Sequence, residues 1–177
     1  SVIRDDEIPD DAGVSIEFRI PLTSKRVDFI LTGKDAEQNE SAVIVELKQW
    51  DEVKPTEKDG VVRAFVGRGE RELTHPSYQA WTYAALIHDF NETVRDDSIA
   101  LAPCAYLHNL DSGNVVNDPF YADHTDKAPT FISSDVQHLA AFLKKYVKYG
   151  DTTNIMYRID NGKLKPSKNL VDSLVSM

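Results

Sequence analysis

Asp28, Glu46 and Lys48 are the residues of this sequence whose types and spacing are best suited to chemistry. Asp28 lies in the apolar segment RVDFILTG (26–33), and Glu46-Leu47-Lys48 lies near the end of SAVIVELKQW (41–50). Val43, Ile44 and Val45 are β-branched and apolar, which predicts a buried strand. An unpaired charge in such a strand is costly. An acid and a lysine at its end therefore need compensation, and a bound divalent cation would supply it. Glu46 and Lys48 are two apart and leave the strand on one face. Asp28, on the neighbouring strand, can meet them there. The alternative is a structural salt bridge among the three.

These residues must be positioned by a sheet. Residues 14–20 read as a strand, 21–24 as a turn and 25–32 as a second strand. A tight turn centred on Leu22 and Thr23 puts Glu17 directly opposite Asp28, and opposed acids repel unless a cation sits between them. Glu17 is then either a further carboxylate at that cation or a second one, or an edge-strand acid paired with Arg26 or Arg19. Residues 34–40 form a polar loop leading to the Glu46 strand. Residues 54–71 are charged and glycine-rich, with a short strand over 61–66 and a flexible turn at 67–69. Pro76 opens a helix to about Asn91, capped by Thr74 or His75. Tyr78, Trp81, Ala85 and Leu86 supply much of its apolar face, while Gln79 and Tyr83, at i and i+4, share one face. His75 would otherwise contact phosphate.

Residues 99–107 form another buried strand, and 111–128 are turn-rich. Ser134 caps a helix from Asp135 to about Tyr149, with Val136, Leu139, Ala140, Phe142, Leu143 and Val147 as its apolar stripe. Residues 154–164 read as a hairpin turning at Asn161-Gly162, and a last helix follows Pro166. This order predicts an α/β fold with a central mixed sheet flanked by helices. Residues 1–13 make a polar amino-terminal arm and 14–177 one domain.

Composition narrows the chemistry. Cys104 is the only cysteine, so neither an internal disulfide nor a cysteine zinc site is possible. The five histidines lack an HExxH spacing, and no serine has a nucleophile-elbow setting. A net charge of −9 argues against a generic basic nucleic-acid surface. Basic clusters at 63–71, 144–148 and 163–168 leave room for local contacts at the rim of an acidic centre. Trp50 and Tyr78 either stack on bases or pack in the core. With no signal peptide and no apolar run of spanning length, a cytoplasmic location is expected.

The order of an acid and then Glu-x-Lys across a hairpin resembles the PD-(D/E)xK nuclease superfamily. Gln79-Ala80-Trp81-Thr82-Tyr83 fits the QxxxY pattern that RecB-like members carry on the following helix. The blocks IEFRIPLTSKRVDFI, VIVELKQW, HPSYQAWTYAAL, PCAYLHN and KKYVKYGD resemble successive parts of one bacterial family, over nearly the whole chain. Its members fuse an amino-terminal domain of this type to a superfamily 1-like helicase domain. The resemblance implies a restriction-endonuclease-like core, αβββαβ, with the first helix upstream of Ser1. Many relatives complete the site with an acid on that helix, which is absent or reduced here. It also implies a Mg²⁺- or Mn²⁺-dependent deoxyribonuclease acting in DNA processing, repair or phage defence. Its partners would be DNA and a carboxy-terminal helicase domain of the same protein. No GxxxxGK(S/T) phosphate loop occurs in the sequence.

Hydrolysis of a phosphodiester needs an activated water and relief of charge on the phosphoryl oxygens, and one such ion serves both. Asp28 and Glu46 would be its ligands, with the Leu47 backbone carbonyl as the third that the family pattern implies. Lys48 would hold the attacking water or stabilise developing charge. Gln79 and Tyr83 would orient the substrate strand or Lys48. The competing expectation is a catalytically silent DNA-binding or interaction module attached to a helicase.

Overall fold

The computed structural model describes residues 8–176. Among the described residues eight strands and six α-helices follow one another: β1 (Gly13–Arg19), β2 (Arg26–Lys34), β3 (Glu40–Lys48), β4 (Val53–Pro55), β5 (Val61–Val66), β6 (Gly69–Thr74), α1 (Pro76–Phe90), α2 (Glu92–Asp96), β7 (Ala100–Leu107), α3 (Ala122–Thr125), β8 (Thr130–Ile132), α4 (Val136–Tyr146), α5 (Ile155–Asp160) and α6 (Lys168–Val175). The protein is α/β, with a mixed five-stranded sheet of order β1-β2-β3-β7-β8 and helices on its faces. The β1-β2-β3 part is antiparallel, and β3, β7 and β8 run parallel.

The central strand β3 is buried from Ser41 to Glu46. That is the pattern of a strand covered on both sides, and it explains the near-continuous apolar run. Ala42 and Ile44 face α1 and pack with Tyr83, Ala84 and Ile87. Val43 and Val45 face α4 and pack with Leu139, Leu143 and Cys104. Burial pushes the Cys104 thiol far up, as befits an inert core residue.

A second, three-stranded antiparallel sheet, β4-β5-β6, sits between β3 and α1 in sequence. Sequence pattern anticipates only β5. Charged residues dominate β6, because its outer face carries ion pairs: Lys54–Glu70 at 3.2 Å, Arg63–Glu72 at 3.0 Å and Lys58–Glu72 at 2.8 Å. The inner face packs Val53, Val62 and Ala64 with Trp50, Leu107 and Tyr121, so Trp50 is a core residue. Gly67, at φ 61°, lies in the β5–β6 connection, a conformation that costs glycine little.

Three local expectations are corrected. The buried face of α1 is Pro76, Ser77, Ala80, Tyr83, Ala84 and Ile87, while Tyr78, Trp81, Ala85 and Leu86 are only half-buried. The helix is rolled because its start is pinned: buried Ser77 Oγ lies 2.5 Å from Thr130 Oγ1, and the ring of fully buried His75 caps the Ser77 N–H at 3.0 Å. The helix after Ser134 begins at Val136, behind a 3₁₀ turn in which Asp135 accepts the Ile132 N–H. It stops at Tyr146, and the Lys148 and Tyr149 N–H groups turn away to the Lys34 carbonyl. Residues 154–164 are not a hairpin. Asp151 accepts from the N–H groups of Ile155 and Met156 and starts α5, which buries Ile155 and Ile159 at i and i+4.

The proposed arm 1–13 is partly outside the described residues. Within them, Ile8 is buried in the core and the Asp151 N–H donates to the Asp11 carbonyl. No helix among the described residues is long and apolar enough to cross a membrane.

Candidate active site

Two registers bring the three charges together. The β2–β3 ladder pairs Phe29 with Val45, and its continuation sets Asp28 level with Glu46. Residues directly opposite in an antiparallel pair point to the same face. That is the α1-facing side, since Ala42 and Ile44 precede Glu46 and Lys48 in the same stripe. The Asp28 Oδ2 accepts the Leu47 N–H at 2.8 Å, which ties the ends of the two strands across the site. Lys48 Nζ lies 3.9 Å from Glu46 Oε2 and 5.6 Å from the centre of the Trp50 ring. Asp28, Glu46, Leu47 and Lys48 thus form one cluster at the carboxyl end of β3.

Glu46 is the anomalous member. It is only 2 % exposed, and its Oε1 is buried with no hydrogen-bond partner. Burial raises its carboxyl to about 8, and the nearby Asp28 carboxylate adds to the rise. Lys48 and the Asp28 N–H oppose it without cancelling it, and a side-chain hydrogen bond with Asp28 adds to the rise. At neutral pH the 3.9 Å contact is therefore not a pair of full charges. Desolvation outweighs a lysine that is shared with Trp50 and held at the far limit of ion-pair distance.

Gln79 and Tyr83 complete one wall. The Gln79 Nε2 donates to the Tyr83 hydroxyl at 2.7 Å, as their i, i+4 spacing predicts. Burial raises the Tyr83 phenol above its ordinary value, Glu46 and Asp28 add to the rise, and the Gln79 bond opposes it. Tyr83 therefore lies within electrostatic reach of both carboxylates. On its other side a cleft of about 140 Å³ opens between the β1–β2 turn and α1, lined by Lys25, Thr74, Tyr78, Gln79, Thr82 and Tyr83. The sequence pattern assigns Lys25 and Thr82 no role at the site. Thr82 is three residues after Gln79, a spacing that places it on the neighbouring part of the same face; nothing local marks Lys25.

Glu17 stands apart. The β1–β2 register is the one the Leu22–Thr23 turn predicts, with Ile16 opposite Phe29 and Phe18 opposite Val27. Glu17 itself adopts φ 54° and drops out of the ladder. Its side chain is 70 % exposed and lies 4.0 Å from Arg26. Among the described residues no three His, Cys, Asp or Glu side chains gather into a metal-holding group.

Two buried histidines serve the core. His75 is the α1 cap, and its Nε2 sits 2.9 Å from the Val116 carbonyl; burial lowers it to about 4. His124 is buried between Trp81, which donates to its Nδ1, and Asp59.

The donor set suits a small, hard cation. Mg²⁺ takes oxygen ligands, keeps several waters and needs only one or two carboxylates. Asp28 and Glu46 could supply those, and the Glu46 Oε1 is buried without a hydrogen-bond partner. Leu47 is held in place through its N–H, one peptide before the carbonyl expected as a third ligand. Searches against protein-family models, curated proteins and solved structures find no match to this chain.

Proposed function

We propose that this chain is a divalent-metal-dependent DNA nuclease domain of PD-(D/E)xK type, hydrolysing phosphodiester bonds as part of a nuclease–helicase protein. The observation that carries the reading is Glu46: a buried carboxyl with one oxygen unpartnered, set beside a second carboxylate and a lysine. A purely structural cluster would satisfy that oxygen, because leaving a buried polar atom unpaired costs about 1–3 kcal/mol. Apart from the β4-β5-β6 sheet inserted after β3 and the short α2 after α1, the order β1-β2-β3, α1, β7 agrees with the βββαβ portion of a restriction-endonuclease-like core. DNA as the substrate, and the helicase partner, rest on the sequence resemblance.

A bound Mg²⁺ or Mn²⁺ would supply a Lewis acid and an activated water. Asp28 and Glu46 would hold the ion, with the Leu47 carbonyl. Glu46 would have to release its proton to solvent to serve as a ligand. Lys48, 22 % exposed at the mouth of the cluster, presents its ammonium to the phosphoryl oxygens as charge builds on them. The phenol of Tyr83, fixed by Gln79, borders the path of the strand and donates a hydrogen bond without ionising, since its proton is held more tightly than usual.

The test is cleavage of single-stranded and duplex DNA with Mn²⁺ or Mg²⁺ by wild type and by Lys48→Ala. The expected result is metal-dependent cutting that Lys48→Ala slows by about 10²–10³-fold while DNA affinity changes modestly. Equal cutting by both proteins overturns the assignment of Lys48. No cutting of any DNA form by the longer protein overturns the nuclease reading in favour of a binding module.

A further inference from the structure

We propose that the cleft between the β1–β2 turn and α1 is a phosphate subsite for a single nucleic-acid strand, with Lys25 as its cation and Gln79 and Thr82 as neutral donors. The proposal rests on reading the adjacent carboxylate cluster as the place where that strand is cut.

Lys25 is the first observation. Its neighbour Arg26 is engaged by Glu17, and Lys54, Lys58 and Arg63 are all bound to Glu70 or Glu72. Lys25 pairs with no carboxylate among the described residues; its ammonium instead leans over Tyr83, 6.0 Å from the ring centre. Tyr83 is also within reach of Glu46 and Asp28. Tyr83 thus borders both the lysine and the carboxylates.

The second observation is Thr82. Its Oγ1 is buried and has no partner, although a helical threonine ordinarily donates to a carbonyl one turn back. Together with Glu46 Oε1 it is one of two unpartnered buried side-chain atoms among the described residues, and the two belong to adjoining parts of one site. Gln79 Nε2 gives one hydrogen to Tyr83 and has a second to offer.

The third is the sign of the cleft. Its walls carry one cation, hydroxyls and an amide, and no carboxylate, in a chain of net charge −9. Such a lining selects an anion. At about 140 Å³ the cleft is smaller than a pocket for a whole small-molecule ligand and suits one phosphate with its waters. A strand laid across Tyr83 would put successive phosphates at Lys25 and at the carboxylate cluster. The charged head of Lys25 would fix the register of the strand, which is what phosphate contacts do.

The experiment is equilibrium binding of a fluorescent single-stranded oligonucleotide at several salt concentrations, with Ca²⁺ in place of Mg²⁺. Each phosphate contact contributes about 0.7 to the slope of log affinity against log salt for single strands. Lys25→Ala should lower the slope by about that amount, while Lys54→Ala, whose lysine is already bound to Glu70, should not. Lys25 is exposed in a turn, so the melting temperature of the variant should match wild type. A set of oligonucleotides with one neutral methylphosphonate each should contain a position that weakens wild type but adds nothing to Lys25→Ala. An unchanged slope and affinity in Lys25→Ala overturns the subsite, whether or not the protein cuts DNA. So does inorganic phosphate binding in a Lys25-dependent way while strand binding stays independent of Lys25. A slope change in a protein that cuts nothing would instead leave the subsite standing and overturn the nuclease reading.

Discussion

Glu46→Gln should make the metal-free protein more stable at neutral and alkaline pH, although it removes a buried acid from the heart of the proposed site. The folded carboxyl titrates at about 8 against an ordinary 4.5. Between those values the unfolded chain has lost the proton and the folded chain keeps it. The folded state binds more protons, so stability falls as pH rises through this window, by about 1.4 kcal/mol per unit. From 4.5 to pH 7 the loss is about 3 kcal/mol. A glutamine keeps the shape and cannot ionise, but its amide is less well matched to Lys48, at a cost of about 1 kcal/mol. The net gain at pH 7 is about 2 kcal/mol, or roughly 4–8 °C in melting temperature for a domain of this size. His75 contributes with the opposite sign. Its folded value, about 4, lies below an ordinary 6.5, so stability rises with pH across that range. The assay is therefore the difference between wild type and Glu46→Gln in chelator, by thermal melts from pH 5 to pH 9, in which the His75 effect cancels. The difference should grow with pH and level off above 8. A difference that is flat across the range would mean that Glu46 is ionised throughout and paired with Lys48, and the argument that burial holds its proton would fail.

Other outcomes follow from the same geometry. If Glu46 ligates Mn²⁺ as proposed, the ion must displace its proton, so the apparent affinity, measured by titration of the melting temperature, should weaken about tenfold per pH unit below 8. Asp28→Asn should remove most of the metal-induced rise in melting temperature, and an equal rise in the variant would place the ion elsewhere. Lys48→Ala should lower the cleavage rate by about 10²–10³-fold, read under single-turnover conditions. Glu17→Gly should raise stability by about 1 kcal/mol in urea melts, because the residue holds φ 54° and its exposed contact with Arg26 is weak; a loss would show that this contact matters more than the backbone strain.

What the sequence by itself determined is what short-range periodicity controls. The period of two put Glu46 and Lys48 on one face, the turn length set the β1–β2 register, and the i, i+4 spacing joined Gln79 to Tyr83. Pro76 marked the start of α1, and the apolar run of β3 marked the centre of the sheet. Tertiary structure decided the rest, because it depends on partners distant in the chain. β4 and β6 were hidden by charges that pair across their own sheet, and α5 by a cap from Asp151 that no local turn pattern announces. The roll of α1 came from Thr130, 53 residues from Ser77. Glu17 was opposite Asp28 in register and still left the site, since a single left-handed residue overrides strand alternation. The state of Glu46 is the clearest case. Its identity and neighbours were legible, but the shift to about 8 arises from how completely α1 and the sheet exclude water from it, and burial of that kind exists only in the assembled fold.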